Sequence, residues 1–269
     1  MSRLKGLLVA GAPSRLGGGF SPAMLKPALW LTAAAGLFQD SAGSTPAAAD
    51  GDVVGLWRDQ SGGGWHFSQA TTAKKPVLKL GANGINGRPA VLFDGLDDLL
   101  VRAAADWLSA SAGGDVLAAY DLSAALQNGE LLTSSDEATA TSRVLVRAVT
   151  STNRVGIFQQ NAGDTGDSLY SASAVTAAKT YITAWRSSGA DYTIRANGAA
   201  LTLAGAVNNG DWFADTGLRD NLALGAVKDT SERVFFKGRL AELLVFAAPL
   251  AAGELALLEA YLNQKYAAF

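Results

Sequence analysis

The chain has 269 residues, with 22 basic and 24 acidic side chains, one histidine and no cysteine. This nearly balanced charge, without a Lys/Arg run, predicts no nucleic-acid partner, and the missing cysteines exclude disulfides and thiol catalysis. A single histidine excludes a histidine-rich metal site. Because 49% of the residues are apolar, the chain can bury a full core. No stretch approaches the ~18 apolar residues of a spanning helix, so we expect no membrane span.

Residues 1–27 are rich in glycine and proline and predict an extended N-terminal arm. Arg3 and Lys5 precede the apolar run GLLVAGA, as in a signal peptide, but that run is at the short limit for a signal sequence and Arg15 follows closely. Termini are ordered when something ties them down. We therefore expect the arm to dock onto a neighbouring protein through Arg3, Lys5, Leu7, Leu8, Val9 and Phe20.

From Leu29 onward, short apolar runs alternate with clusters of Gly, Asn, Asp and Ser, which is the pattern of an all-β sandwich. We predict one domain over residues 28–269. The expected strands are 28–33, 89–95, 99–103, 115–122, 129–135, 142–149, 153–160, 180–188, 192–198, 222–227 and 238–247.

Several local patterns refine this prediction. In the run TYITAWRS, Tyr181, Thr183 and Trp185 share one face of a strand, and Asn197-Gly198 predicts a hairpin turn. The run LAELLVFA is almost wholly apolar, so it predicts a central strand with both faces covered.

The end of the chain predicts a helix. Leu255, Leu258, Leu262 and Tyr266 follow one another at spacings that place them on one helical face, packed on the sandwich. A short helix around residues 104–111 is a further expectation.

Three blocks in order resemble a known family. They are VVGLWRDQSGGGWHFSQATTAKKPVL, then GINGRPAVLFDGLDDLLV, and finally FFKGRLAELLVFAAPLAAGELALLEAYLNQKY. Together they resemble the concanavalin-A-like, laminin-G-like jelly-roll domains of bacteriophage virion proteins and bacterial surface proteins. The resemblance covers about residues 28–269, although residues 105–190 match only in their succession of strand-like runs and carry none of the quoted motifs. Where such domains place Ser or Thr before the last helix, this chain has Ala251, so half of a capping box with Glu254 is missing.

This resemblance implies an all-β, two-sheet antiparallel jelly-roll and a non-enzymatic virion protein. Such a protein would be a fibre, tail-associated or capsid-decorating subunit whose lectin-like domain binds host surface polysaccharide. The implied partners are other virion proteins, reached through the arm, and further copies of the chain, as a trimer in a fibre. The implied location is the virion, with the bacterial cell surface as the alternative. Two other functions remain open, a purely architectural cement protein and a glycoside hydrolase.

The residues themselves argue against several kinds of site. The run SGGG lacks the spacing of a phosphate-binding loop. His66 is the only histidine available for a catalytic triad, and one histidine beside a tryptophan is more often a packing residue. Glycoside hydrolysis needs two facing carboxylates, and Glu242 has no acidic partner two or four residues away along its strand. We therefore predict no catalytic residues.

No cofactor is predicted, with calcium as the weaker alternative. Asp94, Asp97 and Asp98 form the densest acidic loop, and Ca²⁺ prefers oxygen ligands. The same aspartates also suit a turn in which their side chains bond to the backbone, and the sequence favours that turn.

Sugar recognition needs an exposed aromatic ring beside polar side chains. Trp30, Trp57 and Trp185 lie in apolar or alternating runs and are predicted to be core. Tryptophans in polar surroundings are predicted to be exposed and to contact either a glycan or a protein partner. The resulting candidates are Trp212 and Phe213 with Asn208, Asn209, Asp211 and Asp215, followed by Trp65, His66 and Trp107.

Overall fold

Strands dominate the computed structural model, which describes residues 19–105, 107–164, 166–205 and 207–269. In chain order the strands are β1 (Leu29–Thr32), β2 (Leu37–Phe38), β3 (Leu56–Trp57), β4 (Phe67–Ser68), β5 (Val77–Lys79), β6 (Ala90–Asp94), β7 (Leu100–Ala103), β8 (Gly114–Leu122), β9 (Gly129–Ser135), β10 (Arg143–Val149), β11 (Gly156–Gln160), β12 (Asp167–Ser171), β13 (Thr180–Ser187), β14 (Tyr192–Ala196), β15 (Ala199–Ala200), β16 (Leu203–Gly205), β17 (Asn221–Leu224), β18 (Val227–Lys228), β19 (Glu232–Arg233) and β20 (Lys237–Phe246). The α-helix α1 spans Ala252–Tyr266, and single 3-10 turns occupy Pro22–Leu25, Thr72–Lys74, Gly81–Asn83 and Phe213–Asp215.

The strands form two large antiparallel sheets and one small hairpin. The eight-stranded sheet runs β15-β14-β13-β8-β20-β6-β5, with β1 also paired to β20. The ten-stranded sheet runs β16-β12-β11-β10-β9-β17-β7-β4-β3-β2, and β18 pairs with β19. This confirms the predicted β-sandwich. It also confirms that the last strand is central, because β20 has β8 on one side and β6 and β1 on the other.

Two apolar layers hold the sandwich together. The main core lies between the sheets and includes Tyr181 and Trp185, one face of β13. The opposite face of β13, with Ile182 and Ala184, packs with α1 in a second layer. The predicted helix face is confirmed, since Leu255, Leu258, Leu262 and Tyr266 are all buried there. The helix of the described residues therefore covers the eight-stranded sheet and leaves the outer face of the ten-stranded sheet without one.

Glu242 fixes the helix on the sheet. Its side chain is fully buried in β20. Oε1 accepts from Trp30 Nε1 at 2.8 Å and Tyr261 Oη at 3.2 Å, while Oε2 accepts from Lys265 Nζ at 2.7 Å and Tyr266 Oη at 2.8 Å. Burial and this carboxylate raise the pKa of both tyrosines, so their hydroxyls remain donors. Four partners thus compensate the buried charge and join the first strand, the last strand and the helix.

The loop after Trp57 is organised by Asp59. Its Oδ1 accepts from the backbone N–H of Trp30 at 3.0 Å and of Ser61 at 2.8 Å. Its Oδ2 accepts from Ser61 Oγ at 2.7 Å and from the backbone N–H of Trp65 at 3.1 Å. One buried carboxylate therefore closes the loop and attaches it to β1.

Two of the three glycines in that loop adopt positive φ, at +90° for Gly62 and +74° for Gly64. These are conformations that favour glycine, as expected for a turn in the fold rather than a phosphate site. The hairpin at Asn197-Gly198 is confirmed in the same way, with φ of +50° and +76° joining β14 to β15.

Some local predictions were wrong. Residues around 104–111 form turns in the described part of the chain, because Trp107 is buried in the core and the flanking backbone bends around it. Trp30 is half-buried rather than fully core, because it packs at the edge of the helix layer, where its indole N–H donates to Glu242. The start of the last helix is as expected from the sequence. The helix begins at Ala252, and its one side-chain capping contact is the hydrogen bond that the backbone N–H of Ala251 donates to Glu254 Oε2, at 3.0 Å. The missing half of the capping box is thus confirmed.

The predicted arm lies largely outside the described residues, including Arg3, Lys5, Leu7, Leu8 and Val9. Phe20 is described, and its half-buried ring packs edge-on against Tyr261 of α1 at 5.7 Å. Leu25 also packs on the helix layer. No helix of the described residues is both long and apolar enough to cross a membrane.

Candidate functional site

Three of the aromatic residues predicted to be exposed, Trp107, Trp212 and Phe213, are core residues instead. Trp212, Phe213 and Trp107 are at most 3% exposed. Their rings form a chain, with centroids 5.1 Å apart for Trp212–Phe213, 5.4 Å for Phe213–Trp107 and 6.0 Å for Trp107–Trp65. The loop 208–217 folds its aromatic side chains inward because they bury a large apolar area. The Asn, Asp and Gly residues around Trp212 therefore indicate a loop in the backbone, and they do not indicate which way its aromatic side chains point.

Arg219 lies beneath this loop and holds it by hydrogen bonds. It was not among the predicted site residues. It is 1% exposed. Its guanidinium donates to the carbonyl oxygens of Thr216, Phe213 and Trp107 at 2.7, 2.7 and 3.0 Å and to Ser134 Oγ at 2.7 Å. A buried arginine needs such acceptors, which the loop carbonyls provide.

The polar residues of the loop support its backbone. Asn208 Oδ1 accepts from the backbone N–H of Tyr192 at 2.5 Å, and Asn209 Nδ2 donates to Asp211 Oδ2 at 2.8 Å. Asp215 Oδ2 accepts from the backbone N–H of Trp212 at 2.8 Å. These side chains are therefore used in holding the loop closed over its rings.

Trp65 and His66 are half-buried parts of the Asp59 loop. His66 Nδ1 accepts from the backbone N–H of Asp59 at 3.1 Å, while Ser61 Oγ donates to Asp59 rather than to the imidazole. A triad would need the serine hydroxyl on the histidine, so this arrangement is structural.

The aspartates of the acidic loop lie close together, with carboxylate oxygens of Asp94, Asp97 and Asp98 within 4.8 Å of one another. Asp94 Oδ1 accepts from the backbone N–H of Leu96 at 2.7 Å, and Asp98 Oδ2 from that of Asp94 at 2.8 Å. Burial, followed by the charges of Asp94 and Asp97, raises the pKa of Asp98 to about 6. The turn expected from the sequence accounts for these contacts, and calcium binding stays a prediction.

A different group of polar residues lies on the outer face of the ten-stranded sheet. In β10, Val144 and Val146 point into the core, so Arg143 and Arg147 point outward. Both guanidinium carbons lie close to the ring centroid of Phe158 in β11, at 5.0 and 4.9 Å. The ring is half-buried. This arrangement is a cation–π cluster at the surface of the sheet.

A register shift places Glu130 beside this cluster. Val146 pairs with Leu132, but Arg147 pairs with Glu130, so Leu131 is an extra residue in β9. A bulge of this kind redirects the side chains around it. As a result, Glu130 is 1% exposed, with Oε1 3.1 Å from Arg147 Nε.

The environment of Glu130 is both apolar and positively charged. Burial raises its pKa to about 7, and the opposing effects of Arg147, Arg233 and Arg143 are smaller. Its Oε2 has no hydrogen-bond partner in the described part of the chain. Glu130 is therefore a carboxyl group that can change protonation state near neutral pH.

Asp229 in the β18–β19 connection holds two of these arginines. Its Oδ2 accepts from Arg143 Nη1 at 3.2 Å and forms an ion pair with Arg233. Further along the face, Arg154 lies over the ring of Tyr170 in β12, 5.2 Å from the centroid. We call this whole surface the arginine face; it comprises Glu130, Arg143, Arg147, Arg154, Phe158, Tyr170, Asp229 and Arg233.

The sequence contained one signal for this surface. The alternation in SRVLVRAV places Arg143 and Arg147 on one side of a strand. That pattern predicts the strand but does not by itself indicate a binding surface. The contribution of Glu130 depends on the bulge and could not be inferred from spacing.

No known family profile and no curated protein matches the chain. Among solved structures, the Trypanosoma rangeli sialidase in complex with 2,3-difluoro-KDN superimposes with a TM-score of 0.54 and 12% identity, over 96% of this chain and 36% of that chain. The Ruminococcus gnavus IT-sialidase CBM40 superimposes with a TM-score of 0.50 and 18% identity, over 57% of this chain and 85% of that chain. At these identities the similarity concerns the fold alone, which is a β-sandwich.

Proposed function

We propose that the chain is a non-enzymatic, glycan-binding β-sandwich module whose binding surface is the arginine face. The supporting observation is the half-buried ring of Phe158 in β11, which lies beside Arg143 and Arg147 of the neighbouring strand β10. An aromatic ring packs on the apolar face of a sugar, and neighbouring polar groups bond its hydroxyls. The buried rings of Trp212 and Phe213 offer no comparable surface.

A glycan array tests this proposal. The wild type is compared with Phe158→Ala and with Phe38→Ala, a matched control at the far end of the same sheet where Arg58 lies 4.2 Å from the ring centroid. Binding that is lost in Phe158→Ala and kept in Phe38→Ala supports the proposal. Absence of binding to every glycan overturns it and favours an architectural cement protein.

The enzyme alternative is a glycoside hydrolase. Glu242, the carboxylate on the central strand, is fully occupied by structural hydrogen bonds. Incubation of the protein with each bound polysaccharide, followed by analysis for released sugars, separates a hydrolase from a binding module.

The proposed location is a phage virion, with a bacterial cell surface as the alternative, and it rests on the sequence resemblance. The N-terminal arm would dock on a neighbouring virion protein, and a fibre would contain three copies. Because Phe20 and Leu25 pack on the helix layer, a deletion should stop at residue 18. Particles assembled with a 2–18 deletion should lack the protein, although the isolated domain stays folded. Normal incorporation would overturn the role of the arm.

A further inference from the structure

The guanidinium groups of the arginine face make fewer hydrogen bonds within the described residues than they could. The Nε atom of Arg143 is buried and has no hydrogen-bond acceptor among the described residues, whereas Nε of Arg147 lies 3.1 Å from Glu130 Oε1. The only ionic contact of Arg147 within that part of the chain is Glu130. Their side chains are about a fifth exposed, at 18% and 22%. Because part of each guanidinium group is exposed, it can take a further acceptor from outside the chain.

The local charge also favours an anion. Three guanidinium groups, on Arg143, Arg147 and Arg233, surround only two carboxylates, on Glu130 and Asp229. Burial, together with the charge of Arg233, lowers the pKa of Arg143, as expected where like charges are crowded. A bound anion would relieve this repulsion, and a neutral ligand would not.

Glu130 lies beneath this site rather than in it. Its side chain is 1% exposed, so a ligand at the surface meets the guanidinium groups of Arg143 and Arg147 instead.

We propose that the arginine face binds an anionic sugar, with the acidic group contacting Arg143 and Arg147. This inference rests on the proposed function and names its ligand class. Arginine pairs with carboxylate and with oxyanions of sulfur through two parallel hydrogen bonds. Carboxylated and sulfated sugars both offer this chemistry, and the experiment below distinguishes between them.

The test is a binding assay on an array that contains neutral, carboxylated and sulfated polysaccharides. Each bound acidic member is compared with its carboxyl-reduced or desulfated derivative. The protein variants are Arg147→Gln and Arg154→Gln, with Arg88→Gln as a control on an exposed loop beside the other sheet. Arg154→Gln keeps the Glu130–Arg147 pair in place, so it remains informative if Arg147→Gln does not fold.

The expected result is a preference for acidic members, at least tenfold over their neutralised derivatives. Arg147→Gln should lose at least tenfold in affinity, Arg154→Gln should lose less, and Arg88→Gln should bind as wild type. Loss on carboxyl reduction identifies a carboxylated sugar, and loss on desulfation identifies a sulfated one.

Two results overturn the inference while glycan binding itself survives. One is equal binding to neutral and acidic members. The other is acidic preference that neither arginine variant changes, which would place the ligand elsewhere. Absence of binding to every glycan is a separate outcome, because it overturns the proposed function first.

Discussion

Replacement of Glu242 by alanine should be among the most destabilising single changes in this protein. The carboxylate accepts four hydrogen bonds from Trp30, Tyr261, Lys265 and Tyr266 in a fully buried position. Removing it leaves a lysine ammonium and several donors at an apolar interface. Breaking a buried ion pair by deleting one partner costs about 3–5 kcal/mol. We therefore expect a loss of about 4 kcal/mol in the free energy of unfolding.

The assays are urea unfolding and thermal unfolding, each followed by tryptophan fluorescence and by far-UV circular dichroism. For a domain of this size, each kcal/mol lowers Tm by roughly 2–4 °C, so Glu242→Ala should lower Tm by roughly 8–16 °C. Glu242→Gln keeps one acceptor oxygen and should fall between the wild type and alanine.

Glu254→Ala is the matched control. It removes one carboxylate from the start of the same helix, where a lost cap contact costs about 1 kcal/mol. If Glu242→Ala destabilised the protein no more than Glu254→Ala does, the four bonds to Glu242 would not be what holds the helix on the sheet.

Three further predictions concern other parts of the fold. Asp59→Ala removes the acceptor that closes its loop and should lower the free energy of unfolding, measured in urea, by about 2–3 kcal/mol, whereas Asp59→Asn should lose less; equal losses would contradict this. Trp212→Ala empties a core position and should cost about 3–5 kcal/mol in thermal unfolding, so an unchanged Tm would show the ring to be exposed after all. Folding raises the pKa of Glu130 from 4.5 to about 7. The stabilisation from its protonated form is therefore fully present below pH 4.5, and about 3 kcal/mol of it is lost as the pH rises through 7. Urea midpoints at pH 5 and pH 8.5 should show this loss in the wild type but not in Glu130→Gln, and parallel curves would refute it.

The backbone of the sandwich could be predicted because its signals are local. The alternation in 180–187 and the Asn197-Gly198 turn each specify one strand or hairpin, and both are present. Strands of two or three residues, such as Phe67–Ser68, were missed because such runs are too short to show a period.

Side-chain direction was harder to predict because it depends on contacts distant in the sequence. Trp212 lies among Asn, Asp and Gly, yet it is buried because its loop folds over Phe213 and Arg219. Glu130 and Arg147 meet only through a bulge in β9. Composition could therefore find the loops and strands, whereas the candidate site became visible only once the register between strands was known.

The central position of β20 has a consequence for synthesis on the ribosome. The partners β1, β6 and β8 emerge far earlier, yet their main pairing strand is the last strand of the described chain. Until residues 237–246 leave the exit tunnel, the eight-stranded sheet is divided into three parts with unpaired edges, namely β15-β14-β13-β8, β6-β5 and β1 alone. Such edges are prone to aggregate. Folding that depends on such long-range pairing is slow. A nascent chain that still holds residues 237–246 in the tunnel should therefore be a good chaperone substrate, and the released, folded chain should be a poor one.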